Sequence, residues 1–214
     1  LSEQAEKTVA VELDKRMIDA LAESAPRAKI MQANALETKL EDVLSDLPEE
    51  RAVVSNLPYY ITSPILEKVF AQAGNWERAV FLVQAEVAER IAASPGGRDF
   101  GYLSVLAKVH ARAEVLFPVG RDAFRPPPKV DSAVVVVTPL AAPRYPVADL
   151  TRFDALVTAG FGQRRKTLVN ALSSQGWTAG RVREAIAALG LLETVRGEAL
   201  DVATWAALAN RLAD

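Results

Sequence analysis

Ala52-Val53-Val54-Ser55-Asn56-Leu57-Pro58-Tyr59-Tyr60-Ile61-Thr62-Ser63-Pro64-Ile65-Leu66 is the stretch on which the reading of this chain turns. A short valine-rich run that closes on a polar residue predicts a buried parallel strand, and in open α/β sheets ligands gather at the carboxyl ends of such strands. Asn56 is therefore expected where ligands bind. Pro58 fixes its own φ, removes a donor and steers Leu57 away from helical geometry, which predicts a rigid turn with outward carbonyls. Pro64 suits the first turn of a following helix, with Ser63 as its cap. Ile65, Leu66, Val69 and Phe70 then recur at helical spacing and predict a core-facing stripe.

Outward from this stretch the chain alternates. Thr8 to Glu12 predicts a strand ending in an acid, and a helix follows from Asp14 to Leu21. Ala28 to Met31 is a weaker strand, with Asn34-Ala35-Leu36 after it. Ala79 to Val83 predicts a buried strand. The helix Gln84 to Ala93 carries Glu86 and Arg90 spaced for a surface pair. Ser94 to Gly101 reads as a loop, Tyr102 to Lys108 as helix and Ala111 to Phe117 as strand. Phe124 leads into Arg125-Pro126-Pro127-Pro128, a rigid extended segment before the strand Ala133 to Val137. Pro139 to Pro146, with three prolines, is the linker candidate. Beyond it the periods are helical: Phe153, Leu156, Val157 and Phe161; Val182, Ile186 and Leu189; Trp205, Leu208 and Leu212. The expected fold class is α/β, a mostly parallel sheet over residues 1–140 followed by a small helical domain over 147–214.

Bulk properties exclude several classes. With 25 basic and 27 acidic residues among 214, the formal charge is −2, so any nucleic-acid binding has to come from local patches. Arg121, Arg125 and Lys129 make one such patch, and Gln163-Arg164-Arg165-Lys166 is the densest basic cluster. The absence of cysteine excludes disulfides and thiolate metal sites and permits a reducing compartment. His110 is the single histidine and reads as structural, and no His/carboxylate grouping has metal-ligand spacing, so no metal is expected. Apolar runs such as Ala133 to Val137 are far too short to span a bilayer, and no signal peptide is visible. The chain opens at Leu1 inside a helix-to-strand pattern and reads as a fragment or trimmed form.

An amide, outward carbonyls and an aromatic ring suit the capture of an exocyclic amine. Adenine N6 is a poor nucleophile because its lone pair is delocalised, and two acceptors taking its hydrogens favour a tetrahedral nitrogen. The Asn56 oxygen and the Leu57 or Pro58 carbonyl are the candidate acceptors. Tyr59 is the candidate to stack on a flipped base. The bland alternative is a strand and a tight loop, and the surrounding motifs weigh against it.

Asn56 to Leu66 resembles the amine-methylating motif of the ribosomal RNA adenine dimethyltransferases. Three further stretches are similar to the small-subunit (16S) branch of that family: Val83 to Arg90 with Pro95-Gly96-Gly97, Phe124 to Val135, and Phe161 to Leu168. They cover nearly the whole chain in the family's order. The resemblance implies a Rossmann-like class I methyltransferase sheet with a C-terminal helical domain, acting with S-adenosylmethionine on N6 of 16S ribosomal RNA adenosines, twice per base. It also implies a role in small-subunit biogenesis, in the cytoplasm, as a monomer. Glu12 then accepts the cofactor's ribose hydroxyls, or else is a solvated strand end. Asn34 stands where the family carries Asp; it accepts from the cofactor adenine, or else serves a turn. Phe124 matches a ring lying against the target adenine opposite Tyr59; the alternative is a core phenylalanine. The family's glycine-rich turn and opening strand are absent, so the expected sheet lacks its first strand. Two rival readings are a large-subunit (23S) adenine methyltransferase and a non-catalytic ribosomal RNA-binding assembly factor.

Overall fold

The structure is a computed structural model that describes residues 2–141, 144–163 and 165–213. In chain order its elements are β1 (Thr8–Glu12), α1 (Lys15–Ser24), β2 (Ala28–Gln32), α2 (Leu40–Leu44), β3 (Ala52–Asn56), α3 (Thr62–Ala71), β4 (Arg78–Gln84), α4 (Ala85–Ala92), α5 (Tyr102–His110), β5 (Ala111–Val119) and β6 (Ser132–Pro139). Four helices follow among the described residues: α6 (Leu150–Gly162), α7 (Leu168–Ser173), α8 (Ala179–Ala188) and α9 (Val202–Arg211).

Helix starts follow their caps. Asp14, Asp149, Thr167 and Asp201 accept backbone N–H groups at the heads of α1, α6, α7 and α9. α3 departs from expectation: Ile61, not Ser63, occupies its cap position. The Pro58 carbonyl accepts the Ile61 N–H (3.1 Å) and the Thr62 hydroxyl (2.9 Å), so the helix begins ahead of Ser63. Pro64 still falls in the first turn, where its missing N–H costs nothing.

The strands form two sheets. β1 and β2 pair in parallel, and β3-β4-β6-β5 form a four-stranded sheet. Within it β3 and β4 are parallel, whereas β6 runs antiparallel to both β4 and β5. Two of the three pairings in this sheet are thus antiparallel where mostly parallel ones were expected, because the loop from Gly120 to Asp131 returns the chain directly beside β5 and sets β6 against the direction of the other three strands. β3 was expected to be buried, but it hydrogen-bonds a neighbour on one side only and alternates exposed with half-buried residues, leaving Val54 48% exposed. The reason is a cavity of about 410 Å³ lined by all five residues of β1, by Ala52 to Ser55 of β3, and by Leu57.

The core lies between the four-stranded sheet and the helices. Phe81 and Val83 on β4 and Val135 and Val137 on β6 are fully buried, with Leu66 and Phe70 of α3 and Val105 and Val109 of α5 in the same cluster. At roughly 1.5–3 kcal/mol for each fully buried large apolar side chain, this cluster dominates the favourable side of folding. The cluster continues without a break into the C-terminal helices through Phe153, Leu156 and Trp205. Phe161 meets Phe100 edge-on at 6.4 Å and Trp205 at 5.5 Å. His110, at the end of α5, contacts Asp154 of α6 through Nε2 at 2.8 and 3.0 Å. The lone histidine therefore ties the sheet's helices to the C-terminal ones, which is the structural role expected of it. Gly160 is a point of close approach: a Cβ there would lie 2.3 Å from Cη2 of Trp205.

Candidate active site

The sheet register gathers the candidate residues at one end of the four-stranded sheet. Asn56, the last residue of β3, lies opposite Leu82; Gln84, the last of β4, lies opposite Ser132, the first of β6; and Ser132 lies opposite Val119, the last of β5. The turn Leu57 to Tyr60 and the loop Gly120 to Asp131 therefore leave the same sheet end. The loop is tied to the start of α4 by the Ala85 N–H donating to the Asp131 carbonyl (3.0 Å), and closed on itself by the Arg121 N–H donating to the Asp131 carboxylate (2.9 Å).

Asn56 presents an exposed side chain that makes no hydrogen bond among the described residues. The next residues divide the work of the turn. Leu57 is 1% exposed and its N–H donates to the Leu82 carbonyl at 3.0 Å, which nails the turn to β4. Its own carbonyl is not used by any hydrogen bond among the described residues. The Pro58 carbonyl is used twice, by Ile61 and Thr62. Of the two carbonyls open from sequence, the geometry thus leaves Leu57's as the free acceptor and commits Pro58's to starting α3.

Tyr59 is 36% exposed, and its hydroxyl lies 3.0 Å from Oγ of Ser132, a fully buried residue. Neighbouring Tyr60 is 86% exposed and makes no comparable bond among the described residues. The ring at 59 is therefore anchored while that at 60 faces solvent. Phe124 is half-buried on the loop leaving the same sheet end, so the core alternative for it is only partly met. Ser132 was not singled out from sequence; it opens β6 on the face of the half-buried Val134 and Val136, opposite Ala133, Val135 and Val137, and only its burial in the fold shows that its hydroxyl needs a partner.

On the other side of the cavity, Glu12 ends β1 and accepts the Asp14 N–H through Oε1 at 2.8 Å, so that Oε2 is left over among the described residues. Asn34 has the turn role: its Oδ1 accepts the Leu36 N–H (3.0 Å), its Nδ2 donates to Glu37 (2.9 Å), and its carbonyl accepts from Glu37 and Thr38. One lone pair of Oδ1 remains, so an additional acceptor role is geometrically open. Glu12, Ala35, Ser55 and Leu57 line the same 410 Å³ cavity, which is a mostly apolar hollow with an acid at its wall.

Among the cationic residues, Arg121 and Lys129 are exposed on the Gly120–Asp131 loop. Arg125 folds back and donates to the Asp122 and Phe124 carbonyls at 3.1 and 3.0 Å, which stiffens the loop instead of leaving the guanidinium extended. Arg165 and Lys166 are exposed in the turn between α6 and α7, on the helical half; Arg164 lies outside the described residues. Tyr102 of α5 has its hydroxyl against Ser63 and Glu67, and burial pushes it up to about 12, so it remains a neutral strut behind the motif helix. No group of three or more metal-ligating side chains occurs among the described residues, and no helix there is long and apolar enough to cross a membrane.

Residues 1–214 match the family described as "Ribosomal RNA adenine dimethylase". A protein of Anaeromyxobacter sp. (strain K) named ribosomal RNA small subunit methyltransferase A is 44% identical over 216 residues, covering 96% of this chain and 76% of that one. One of the same name from Pseudomonas aeruginosa is 42% identical over 188 residues, covering 88% and 68%. A dimethyladenosine transferase from Plasmodium falciparum superposes with a TM-score of 0.70 at 24% identity, covering 95% of this chain and 80% of that one. The 23S rRNA methyltransferase ErmE superposes at 0.60 and 26% identity, covering 100% and 85%. These likenesses assign the fold as that of the class I methyltransferases, and the chain belongs to the ribosomal RNA adenine dimethylase family.

Proposed function

We propose that this protein transfers methyl groups from S-adenosylmethionine to N6 of adenosines in 16S ribosomal RNA of the small subunit, two per base. The observation that carries the reading is the pair of unspent acceptors at the end of β3, the exposed Asn56 amide and the Leu57 carbonyl, beside a Tyr59 ring anchored by Ser132. Two acceptors that converge on one amine orient its lone pair, and an anchored ring holds a flipped base by stacking at low entropic cost. Leu57 contributes through its carbonyl and Pro58 through rigidity of the turn. Phe124, on the adjacent loop, closes the base from the other side.

The residues present fit S-adenosylmethionine. Glu12 would take the ribose hydroxyls with its remaining oxygen, Asn34 would accept from the adenine amine, and Asn56, at the end of β3, would stand between the two ligands. When bound, the cofactor supplies an electrophilic methyl on a sulfonium whose positive charge is favoured by nearby aromatic faces. The protein positions and desolvates; no general base is needed, because the nitrogen becomes acidic once methylated.

Residues 1–140 are read as the methyltransferase part and 147–214 as the helical part. Arg121, Lys129 and the guanidinium N–H groups that Arg125 does not use on its own loop, near the sheet end, with Arg165 and Lys166 on the helical half, give the RNA backbone two contacts on an otherwise weakly acidic surface, and Arg164 belongs to the second by sequence. Action on ribosomal subunits in the cytoplasm, as a monomer, completes the reading. Small-subunit relatives at 44% identity favour it over large-subunit methylation, for which the likeness is 26%. Purified subunits from an unmethylated strain, offered with methyl-labelled cofactor, provide the test. Label in the small subunit's RNA at N6 of adenosine is expected, and label in the large subunit alone would refute it. RNA binding without any cofactor binding in a calorimetric titration would instead identify a non-catalytic assembly factor.

A further inference from the structure

Lys68 lies in α3 between apolar Ile65, Leu66 and Val69, half-buried, and its ammonium is turned to backbone carbonyls and not to a carboxylate. Nζ donates to the carbonyl of Ala35 at 2.9 Å, to that of Leu36 at 3.0 Å and to that of Thr38. An ammonium has three donors, and here all three are spent on the carbonyls of one turn. The same turn is closed from the other side by Asn34, which accepts the N–H groups of Leu36, Glu37 and Thr38. Burial lowers the Lys68 pKa, as expected for a charge satisfied by dipoles alone. Lys68 also lines both the 410 Å³ cavity and a groove of about 1060 Å³ between α3 and α6, so it stands in the wall separating them.

We propose that Lys68 is a positioning residue that docks the Asn34–Thr38 turn onto the helix emerging from the Asn56–Tyr60 motif, thereby fixing the cofactor side of the site relative to the amine side. The inference rests on the reading of Asn34 as a cofactor contact. α3 is rigidly joined to the motif through the Pro58 carbonyl, so one side chain couples two ligand-holding segments that are otherwise on separate sheets. Methyl transfer demands in-line placement, and displacement of one reactant by about 1 Å can cost on the order of 10²-fold in rate.

The test uses Lys68→Met, which keeps the stem and removes the donors, and Lys68→Arg, which keeps charge and donors. Amide exchange at Leu36, Glu37 and Thr38 reads the turn directly, and calorimetry with S-adenosylhomocysteine reads the cofactor side. Lys68→Met is expected to speed exchange in the turn and weaken the ligand about tenfold, the effect of losing roughly one ordered loop's worth of preorganisation. Lys68→Arg should restore most of both. Unchanged exchange would overturn the proposal, as would faster exchange with unchanged affinity. Should Lys68→Met not fold, Lys68→Gln is measured against Lys68→Arg by the same two readouts. If the unsubstituted protein binds no S-adenosylhomocysteine, the functional reading fails, whereas the exchange arm still judges whether Lys68 holds the turn.

Discussion

Replacing Asn56 with alanine separates a chemical role from a structural one, because the structure gives its side chain nothing else to do. The amide is exposed and makes no hydrogen bond among the described residues, so its loss leaves no buried partner unpaired. On that ground the stability change should fall within about 0.5 kcal/mol, the range for surface substitutions away from special features. In the transition state the same amide would be one of two acceptors oriented at the reacting nitrogen, and removing one such preorganised polar group costs roughly 10²–10³ in rate, about 2.7–4 kcal/mol. A rate loss several times larger than any stability loss is therefore expected. Single-turnover transfer of labelled methyl groups, filter binding of RNA and thermal unfolding, all on Asn56→Ala, give the three quantities. Equal falls in rate and RNA affinity, or a lowered melting temperature that accounts for the rate, would refute the reasoning.

Three further substitutions follow from particular contacts. Ser132→Ala frees the Tyr59 ring, so the KM for RNA should rise by several-fold, and Tyr59→Phe should do the same; in the double variant the effects should be less than additive, because both remove one 3.0 Å contact worth about 0.5–1.5 kcal/mol. Gly160→Ala would drive a methyl to 2.3 Å from Trp205 and 3.0 Å from Leu168, and denaturant unfolding should show a loss of about 1–3 kcal/mol, the range for overpacking. Asp201 caps α9 through Thr204, and these hydrogen bonds hold its pKa below the ordinary 3.8. A depressed folded pKa means that the contribution is complete above 3.8 and is lost as pH falls through the lower folded value. Trp205 fluorescence should therefore report α9 loosening in acid, and Asp201→Asn, which caps without ionising, should flatten that dependence.

Much of the fold was legible in local sequence because its causes are local. The β1, β2, β4 and β6 runs are apolar and bounded by turn residues, and the α6, α8 and α9 stripes repeat at helical spacing, so their elements emerged close to where the structure has them. The start of α3 did not, because a second local cap competed with Ser63: the Pro58 carbonyl, three and four residues upstream, recruits Ile61 and Thr62 and starts the helix earlier. The exposure of β3 and the antiparallel insertion of β6 between β4 and β5 also escaped, since both depend on which strands neighbour which.

For the site, sequence alone determined the chemistry on offer: an amide after a strand, a proline-stiffened turn, tyrosines beside it and a phenylalanine on a rigid loop. These are properties of residue type and order, which neighbours in the chain suffice to set. Only tertiary structure decided which groups remain available. It spent the Pro58 carbonyl and left that of Leu57, anchored Tyr59 but not Tyr60, folded Arg125 back on its own loop, and engaged Asn34 in a turn held by Lys68. Each of those outcomes turns on whether a hydrogen bond is made, with a distant partner for Tyr59 and Lys68 and with a near one set by the local backbone path for Pro58, Arg125 and Asn34, and the identity of a residue does not reveal where its donors and acceptors will be used.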